Sequence, residues 1–214
     1  MGLKEDRIFE WLSNHLPFGN GKAHTKFLEY ILDNKEIKSL LDIGCGRGVY
    51  KVFRKFDSIG IDIFPENIRL AKENGNYKEV IEADINNIEY KENSFDAIVC
   101  IDVIEHIDKA SGEKLLEKIE RIAKKIVIVN TAWGYQKIPK RNDNVYLNHL
   151  CGWWPNEFEE RGYKIYPFKA LRWNLGNSPI LLMLSYVLSV VLRPIISKYP
   201  EKYCNDFAAV KRMV

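Results

Sequence analysis

Three things are scarce in this sequence, and each scarcity excludes a class of protein. Cysteine is one. The four present, Cys45, Cys100, Cys151 and Cys204, lie far apart with no C-x-x-C pair. Neither a disulfide framework nor a zinc site is therefore expected, no metal is expected, and a reducing cytoplasm fits best. Excess charge of one sign is the second: 32 basic against 29 acidic residues leave a formal net charge of +3. That is far from the dense positive field nucleic-acid binding usually needs, so nucleic acid is not an expected partner. Long apolar runs are the third. The opening "MGLKEDRIFEWLSNHLPF" mixes charges with apolar residues and lacks the uninterrupted core of a secretion signal. The most apolar stretch, Pro179 to Leu192, falls short of the ~20 residues a bilayer span requires and is closed by Arg193. A cytoplasmic protein is expected, with peripheral membrane contact left open.

What is present suits a globular fold: 46% hydrophobic and 29% charged residues over 214 positions, without internal repeats or a low-complexity linker. One domain over 1–214 is the expectation. Apolar periodicity predicts helices over 4–16 and 23–33, separated by the turn-like "PFGNGK", within an N-terminal helical segment 1–36. From residue 38 the rhythm changes. Short runs, "KSLLDI", "SIGIDI", "KEVIEA", "FDAIVCI" and "KIVIVN", alternate with the helix-period segments "PENIRLAKENG" and "ASGEKLLEKIERIAK". Strands apolar on both faces, joined by helices, make a doubly wound parallel α/β sheet of three layers. Pro65 and Ser111 suit helix starts. Beyond residue 130 come a long loop (131–154), a short helix at "PNEFEERG", a strand "YKIYPF", an apolar helical insert over 169–200 and a last strand "DFAAVKR", seven strands in all.

The sharpest local signal is "LLDIGCGRG", a strand ending in Asp42 that runs into Gly44, Cys45, Gly46, Arg47 and Gly48. A tight turn at the carboxyl edge of a parallel sheet is where open α/β folds bind ligands. Two ligands compete for it: a dinucleotide, with its pyrophosphate on a helix N-terminus, and S-adenosylmethionine, whose amino-acid part lies over the loop. The D-x-G-x-G-x-G spacing puts Gly48 where a dinucleotide fingerprint has an arbitrary residue. Asp62 ends the second run, where a carboxylate can accept both hydroxyls of an adenosine ribose, and Asp84 ends the third.

Taken in order, "LLDIGCGRG", "GIDI", "EADI" and "FDAIVCIDVIEHI", with a seventh strand at the C-terminus, resemble the class I S-adenosylmethionine-dependent methyltransferases from about Ser39 to the end. The resemblance implies the sheet order 3-2-1-4-5-7-6 with the last strand antiparallel. It also implies that Gly44 to Gly48 contact the methionine moiety, Asp62 and the adjoining Ile63 the ribose side, and Asp84 and Ile85 the adenine. Cys100, Ile101 and Asp102 would wall the methyl group, and Asp42 would hold the loop and the cofactor's ammonium. The downstream "HLCGWWPNEFEERGYKIYPF" is similar to a subset of that family with unassigned acceptors, some linked to glycan or lipid pathways. No N-P-P-Y or D-P-P-Y block ends the fourth strand, which removes the family's signature for methylating exocyclic amines of bases.

Methyl transfer is an in-line displacement, and holding the acceptor opposite the sulfur can supply ~7 kcal/mol or more. A hydroxyl acceptor adds a need for a base. His106 in "DVIEHI", with Glu105 beside it, and His149 in "HLCGWW" are the candidates, and their loops are expected to converge above the cofactor. Trp153 and Trp154 would wall the acceptor pocket or anchor the core. Ser178, Pro179 and Pro194 frame an apolar helix within 179–196, expected as a lid, a membrane-facing surface or a self-association face. The expected activity is methyl transfer at oxygen of a small or amphiphilic acceptor. A nicotinamide-dependent oxidoreductase and a catalytically silent binding scaffold are the alternatives.

Overall fold

Buried parallel strands have no polar face, and the predicted runs become strands almost residue for residue in the computed structural model, which describes residues 22–137, 143–168 and 204–213. The strands are β1 (Ser39–Ile43), β2 (Asp57–Asp62), β3 (Glu79–Glu82), β4 (Phe95–Ile101), β5 (Ala123–Ala132), β6 (Lys164–Phe168) and β7 (Asp206–Arg212). They form one seven-stranded sheet in the order β3-β2-β1-β4-β5-β7-β6, with β7 antiparallel. The helix expected over 4–16, the insert over 169–200 and part of the basic "YQKIPKR" loop lie outside the described residues.

The helices are α1 (Lys22–Ile31), α2 (Pro65–Asn74), α3 (Lys109–Ile122) and the short α4 (Pro155–Glu159). Pro65 opens α2 as predicted, and Gly75 closes it in the left-handed conformation, donating its N–H to the carbonyls of Ala71 and Lys72. Helix α3 starts earlier than Ser111. Asp108 is its cap, accepting the Ser111 N–H at 3.0 Å and the Ser111 hydroxyl at 2.6 Å. With Asp108 as cap, Ser111 falls at the third helical position and becomes the donor rather than the cap.

Two compact units divide the chain. The larger, 34–165 with 208–214, holds the glycine loop and the aspartates singled out in the sequence. Its core is β1 and β4, where Leu40, Leu41, Ile43, Ala97, Ile98, Val99 and Cys100 have no exposed surface, and Leu116, Ile119 and Ile122 of α3 are as deeply buried. Each such leucine or isoleucine contributes roughly 1.5–3 kcal/mol of burial. Helix α2 packs on β2 and β3, and α3 on β4 and β5. In the smaller unit, 1–33 with 166–207, His24 pairs with Asp206 at 2.8 Å and packs its ring edge-on against Phe168, which also meets Phe27.

The register sets up the site. β1 lies parallel between β2 and β4, with Asp42 opposite Gly60 on one side and Val99 on the other. The chain leaves β1 toward β2 and later returns on the opposite flank as β4, which is the switch point where a crevice opens.

Candidate active site

Each of the first four strands delivers an aspartate to the same edge. Asp42, Asp62, Asp84 and Asp102, with Arg47 and His106, line one cavity of about 400 Å³ whose remaining walls include Val49, Tyr50, Ile63, Ile85, Ile101, Tyr146 and Leu147.

The glycine loop is shaped for a ligand at one position and for packing at the others. Gly46 has φ +53°, lines the cavity, and would place a Cβ with nothing within 4 Å, so only its backbone conformation and the ligand space demand glycine. At Gly44, φ +71°, a Cβ would fall 2.2 Å from a Val103 methyl, so this glycine lets the loop lie against the end of β4. Gly48, expected to touch the cofactor, is not among the cavity residues. It abuts Ala71 and Tyr77, and its carbonyl accepts from Asn76 at 2.6 Å. Cys45 anchors the loop through its N–H to the Ile61 carbonyl at 2.8 Å, and burial pushes its thiol well above the ordinary range.

Asp62 organises the same loop. Its Oδ2 accepts the Gly46 N–H at 2.8 Å, and its Oδ1 accepts Phe64 N–H at 2.9 Å and Asn67 Nδ2 at 3.2 Å. Asp84 turns its carboxylate onto Asn86, accepting the backbone N–H at 2.9 Å, while still lining the cavity beside Ile85. Asp102 holds φ +52°, a conformation aspartate tolerates better than most residues. Ile63 and Ile101 line the cavity as predicted, but Cys100 does not: it is wholly buried inside β4.

Asp42 is the unusual group. It is 2% exposed, and burial lifts its carboxyl to about 7, with Tyr77's hydrogen bond opposing and Asp62's charge adding. Among the described residues no lysine or arginine pairs with it. Tyr77, absent from the sequence expectations, donates its hydroxyl to Asp42 at 2.5 Å. A lone tyrosine ahead of β3 carried no local signal.

On the other flank, His106 lines the cavity and shares its Nδ1 with the Asn148 carbonyl at 3.2 Å. A carbonyl only accepts, so Nδ1 carries the proton and Nε2 the lone pair. Burial holds this imidazole below its ordinary range, against the raising influence of Glu105 and of the Asn148 bond. His149 does not line the cavity, but its ring stands edge-on to His106 with centroids 4.9 Å apart. The expected convergence of the two loops is therefore present, with His106 nearer the ligand space.

The tryptophans are not a pocket wall. Trp153 is fully buried, donates Nε1–H to the Ile104 carbonyl at 3.1 Å, packs on Phe158 and lies 3.3 Å beneath the Lys109 ammonium. Trp154 is exposed and outside the cavity lining. Asn144, Tyr146 and Leu147, which sequence reasoning missed, line the cavity instead. Asn144 accepts the Tyr146 N–H at 3.1 Å and fixes the turn that presents them.

Residues 41–128 match the family model described as a methyltransferase domain. Among curated relatives, an uncharacterised protein of Methanocaldococcus jannaschii is 35% identical over 104 residues, covering 46% of this chain and 44% of that protein. The probable tRNA methyltransferase 9B of Mus musculus is 31% identical over 48% of this chain and 22% of its own length. The ubiquinone biosynthesis O-methyltransferase of Rickettsia bellii is 28% identical over 54% of this chain and 50% of its own. The chain spans half or less of these relatives' length. A solved S-adenosylmethionine-dependent methyltransferase from Archaeoglobus fulgidus shares the fold at TM-score 0.62, with 19% identity over 95% of this chain and 99% of that one.

Proposed function

The chain belongs to the class I S-adenosylmethionine-dependent methyltransferases through residues 41–128, and we propose that it moves a methyl group from that donor to an oxygen of a small, amphiphilic acceptor. The observation that carries the donor half is Asp42, a buried carboxylate on the cavity wall with a tyrosine for company and no cation from the described residues. A ligand bearing an ammonium completes that pair. Four carboxylates against one guanidinium also make a hostile wall for a pyrophosphate, which weighs against the nicotinamide alternative.

The residues fit the donor. Asp42 would hold its ammonium, the backbone from Gly44 to Gly46 would lie along its methionine part, Asp62 would accept from the ribose hydroxyls, and Asp84 with Ile85 would bound the adenine. When bound, S-adenosylmethionine supplies an electrophilic methyl on a positively charged sulfur. Ile101 and Asp102 would bound the space where the acceptor must approach.

For the acceptor half, His106 offers the Nε2 lone pair on a ring lining the cavity, held in one tautomer by Asn148. A hydroxyl needs such a group to lose its proton; an amine needs it less. The rim favours an amphiphile: Val49 is 63% and Tyr146 49% exposed, and both line the cavity. No helix among the described residues is long and apolar enough to cross a membrane.

Calorimetry with S-adenosylhomocysteine tests the donor half, and absence of heat from folded protein would overturn it. Incubating the protein and methyl-labelled donor with a cell extract, then separating lipid-soluble from water-soluble label, tests the acceptor half. Label confined to protein or nucleic acid would refute a small amphiphile.

A further inference from the structure

Glu105, His106 and His149 come together at the acceptor flank, and one potential ligand atom from each lies within 4.8 Å of the others. Their surroundings resemble the outer shell of a metal site more than a packed core. Glu105 is 3% exposed, and both its oxygens are oriented: Oε2 accepts from Thr131 Oγ1 at 2.9 Å and Oε1 from the Ala132 N–H at 3.3 Å. The Asn148 carbonyl keeps the His106 proton on Nδ1, leaving Nε2 free to ligate. Histidine ligands characteristically place their second nitrogen on a backbone carbonyl in this way. His149 Nδ1 is buried and has no hydrogen-bond partner among the described residues. The segment carrying it is fastened to the carboxylate's own backbone, since Leu150 N–H donates to the Glu105 carbonyl at 2.8 Å.

We propose that Glu105, His106 and His149 bind one divalent transition cation of the zinc or cobalt type beside the acceptor's position. Two imidazoles and one carboxylate suit such an ion, whereas magnesium and calcium prefer oxygen alone. Bonds of about 2.0–2.2 Å would hold the ligand atoms within about 4 Å of one another, so the trio closes by about an ångström on binding. Three protein ligands leave a position open, and His106 places it at the cavity. There the cation would draw the acceptor hydroxyl's oxygen and weaken its O–H bond, the proton leaving to water. The His106 lone pair then serves as a ligand and acts on the acceptor through the cation. A metal here departs from the sequence expectation of no metal, which rested on cysteine spacing; the site uses no thiolate. The catalytic role rests on the methyl-transfer reading; the binding of the ion does not.

The test is calorimetric titration of chelator-treated protein with zinc chloride, with the visible absorption of a cobalt-loaded sample as a second readout. One equivalent should bind. His149→Ala should weaken binding by about 100-fold or more, since losing even an outer-shell partner costs 10–100-fold. Thr131→Val, which removes such a partner, should weaken it about tenfold, and His24→Ala should change nothing. Lack of stoichiometric binding by the wild type, or binding untouched by both His149→Ala and His149→Gln, overturns the proposal. S-adenosylhomocysteine titrated into the same samples keeps the two readings apart: metal bound without cofactor removes the methyl-transfer reading, and cofactor bound without metal removes this one.

Discussion

The Tyr77 hydroxyl donates to the Asp42 carboxylate at 2.5 Å across 35 positions of sequence, tying the approach to β3 to the end of β1. This bond is what partly offsets the burial of Asp42, whose carboxyl nonetheless rises to about 7. In the proposed role of holding the cofactor's ammonium, Asp42 must be ionised, which would make binding sensitive to pH near neutrality.

Affinity for S-adenosylhomocysteine should therefore rise about tenfold between pH 6 and pH 8 and level off, because about a tenth of Asp42 is ionised one unit below its pKa. The linkage to stability has the opposite sign. Asp42 titrates at 3.8 in the unfolded chain and at about 7 in the fold. Between those values the folded state holds the extra proton, so this group's contribution to stability falls as pH rises toward 7. Calorimetry across pH checks the first statement, and a flat profile would take Asp42 out of the site.

Tyr77→Phe keeps the ring that packs against Gly48 and removes only the hydroxyl. The Asp42 carboxyl should climb further and the affinity profile should shift to higher pH. Binding should weaken severalfold at pH 7 and recover by pH 8.5. A loss of equal size at every pH would mean the tyrosine shapes the loop rather than the charge.

Asp62→Ala should cost more than about tenfold in cofactor affinity, since charge-assisted bonds to ribose are lost. It also frees the Gly46 N–H that Asp62 now accepts at 2.8 Å. Asp62→Asn, which keeps one carbonyl oxygen for that N–H, should lose less. Unchanged titration of the alanine variant would separate Asp62 from the ligand.

Two glycines two positions apart should fail differently. Gly46→Val faces open cavity space, so its cost to the fold is only the strain of valine at φ +53°, and the protein should fold with a modest loss of stability and lose cofactor binding. Gly44→Ala meets a Val103 methyl at 2.2 Å and should lower the melting temperature as well. Thermal melts beside calorimetry distinguish them, and a Gly46→Val protein that binds normally would mean the cradle lies elsewhere.

Trp153→Ala should destabilise the fold by about 3–5 kcal/mol while leaving cofactor affinity unchanged in the surviving folded protein. The reason is its complete burial against Phe158 and beneath Lys109. Denaturant unfolding checks it; a small stability loss with a large affinity loss would return Trp153 to the ligand.

The strands and the edge aspartates were legible in the sequence because both are local. A doubly covered strand must be apolar through its middle, as the "AIVCI" of "FDAIVCI" is. The chain must turn where such a strand meets water, so Asp42, Asp62 and Asp84 could be placed at carboxyl ends before any coordinates. The strand order and cofactor came from the resemblance to a known family that four such blocks, read together, carry. Tertiary structure decided what depends on which distant surfaces meet. Tyr77 reaches Asp42 only because β2 and β3 pair on the flank of β1 where the hydroxyl faces the carboxylate. Trp153 became core because its ring packs beneath Lys109 and against Gly112, where a Cβ would sit 2.5 Å from it. Asn148 meets His106 across 42 positions, which brings His149 beside Glu105 as well. No periodicity encodes such pairings, because a side chain's partner across space is set by the path of the backbone between the two, and hydrophobic pattern leaves that path free.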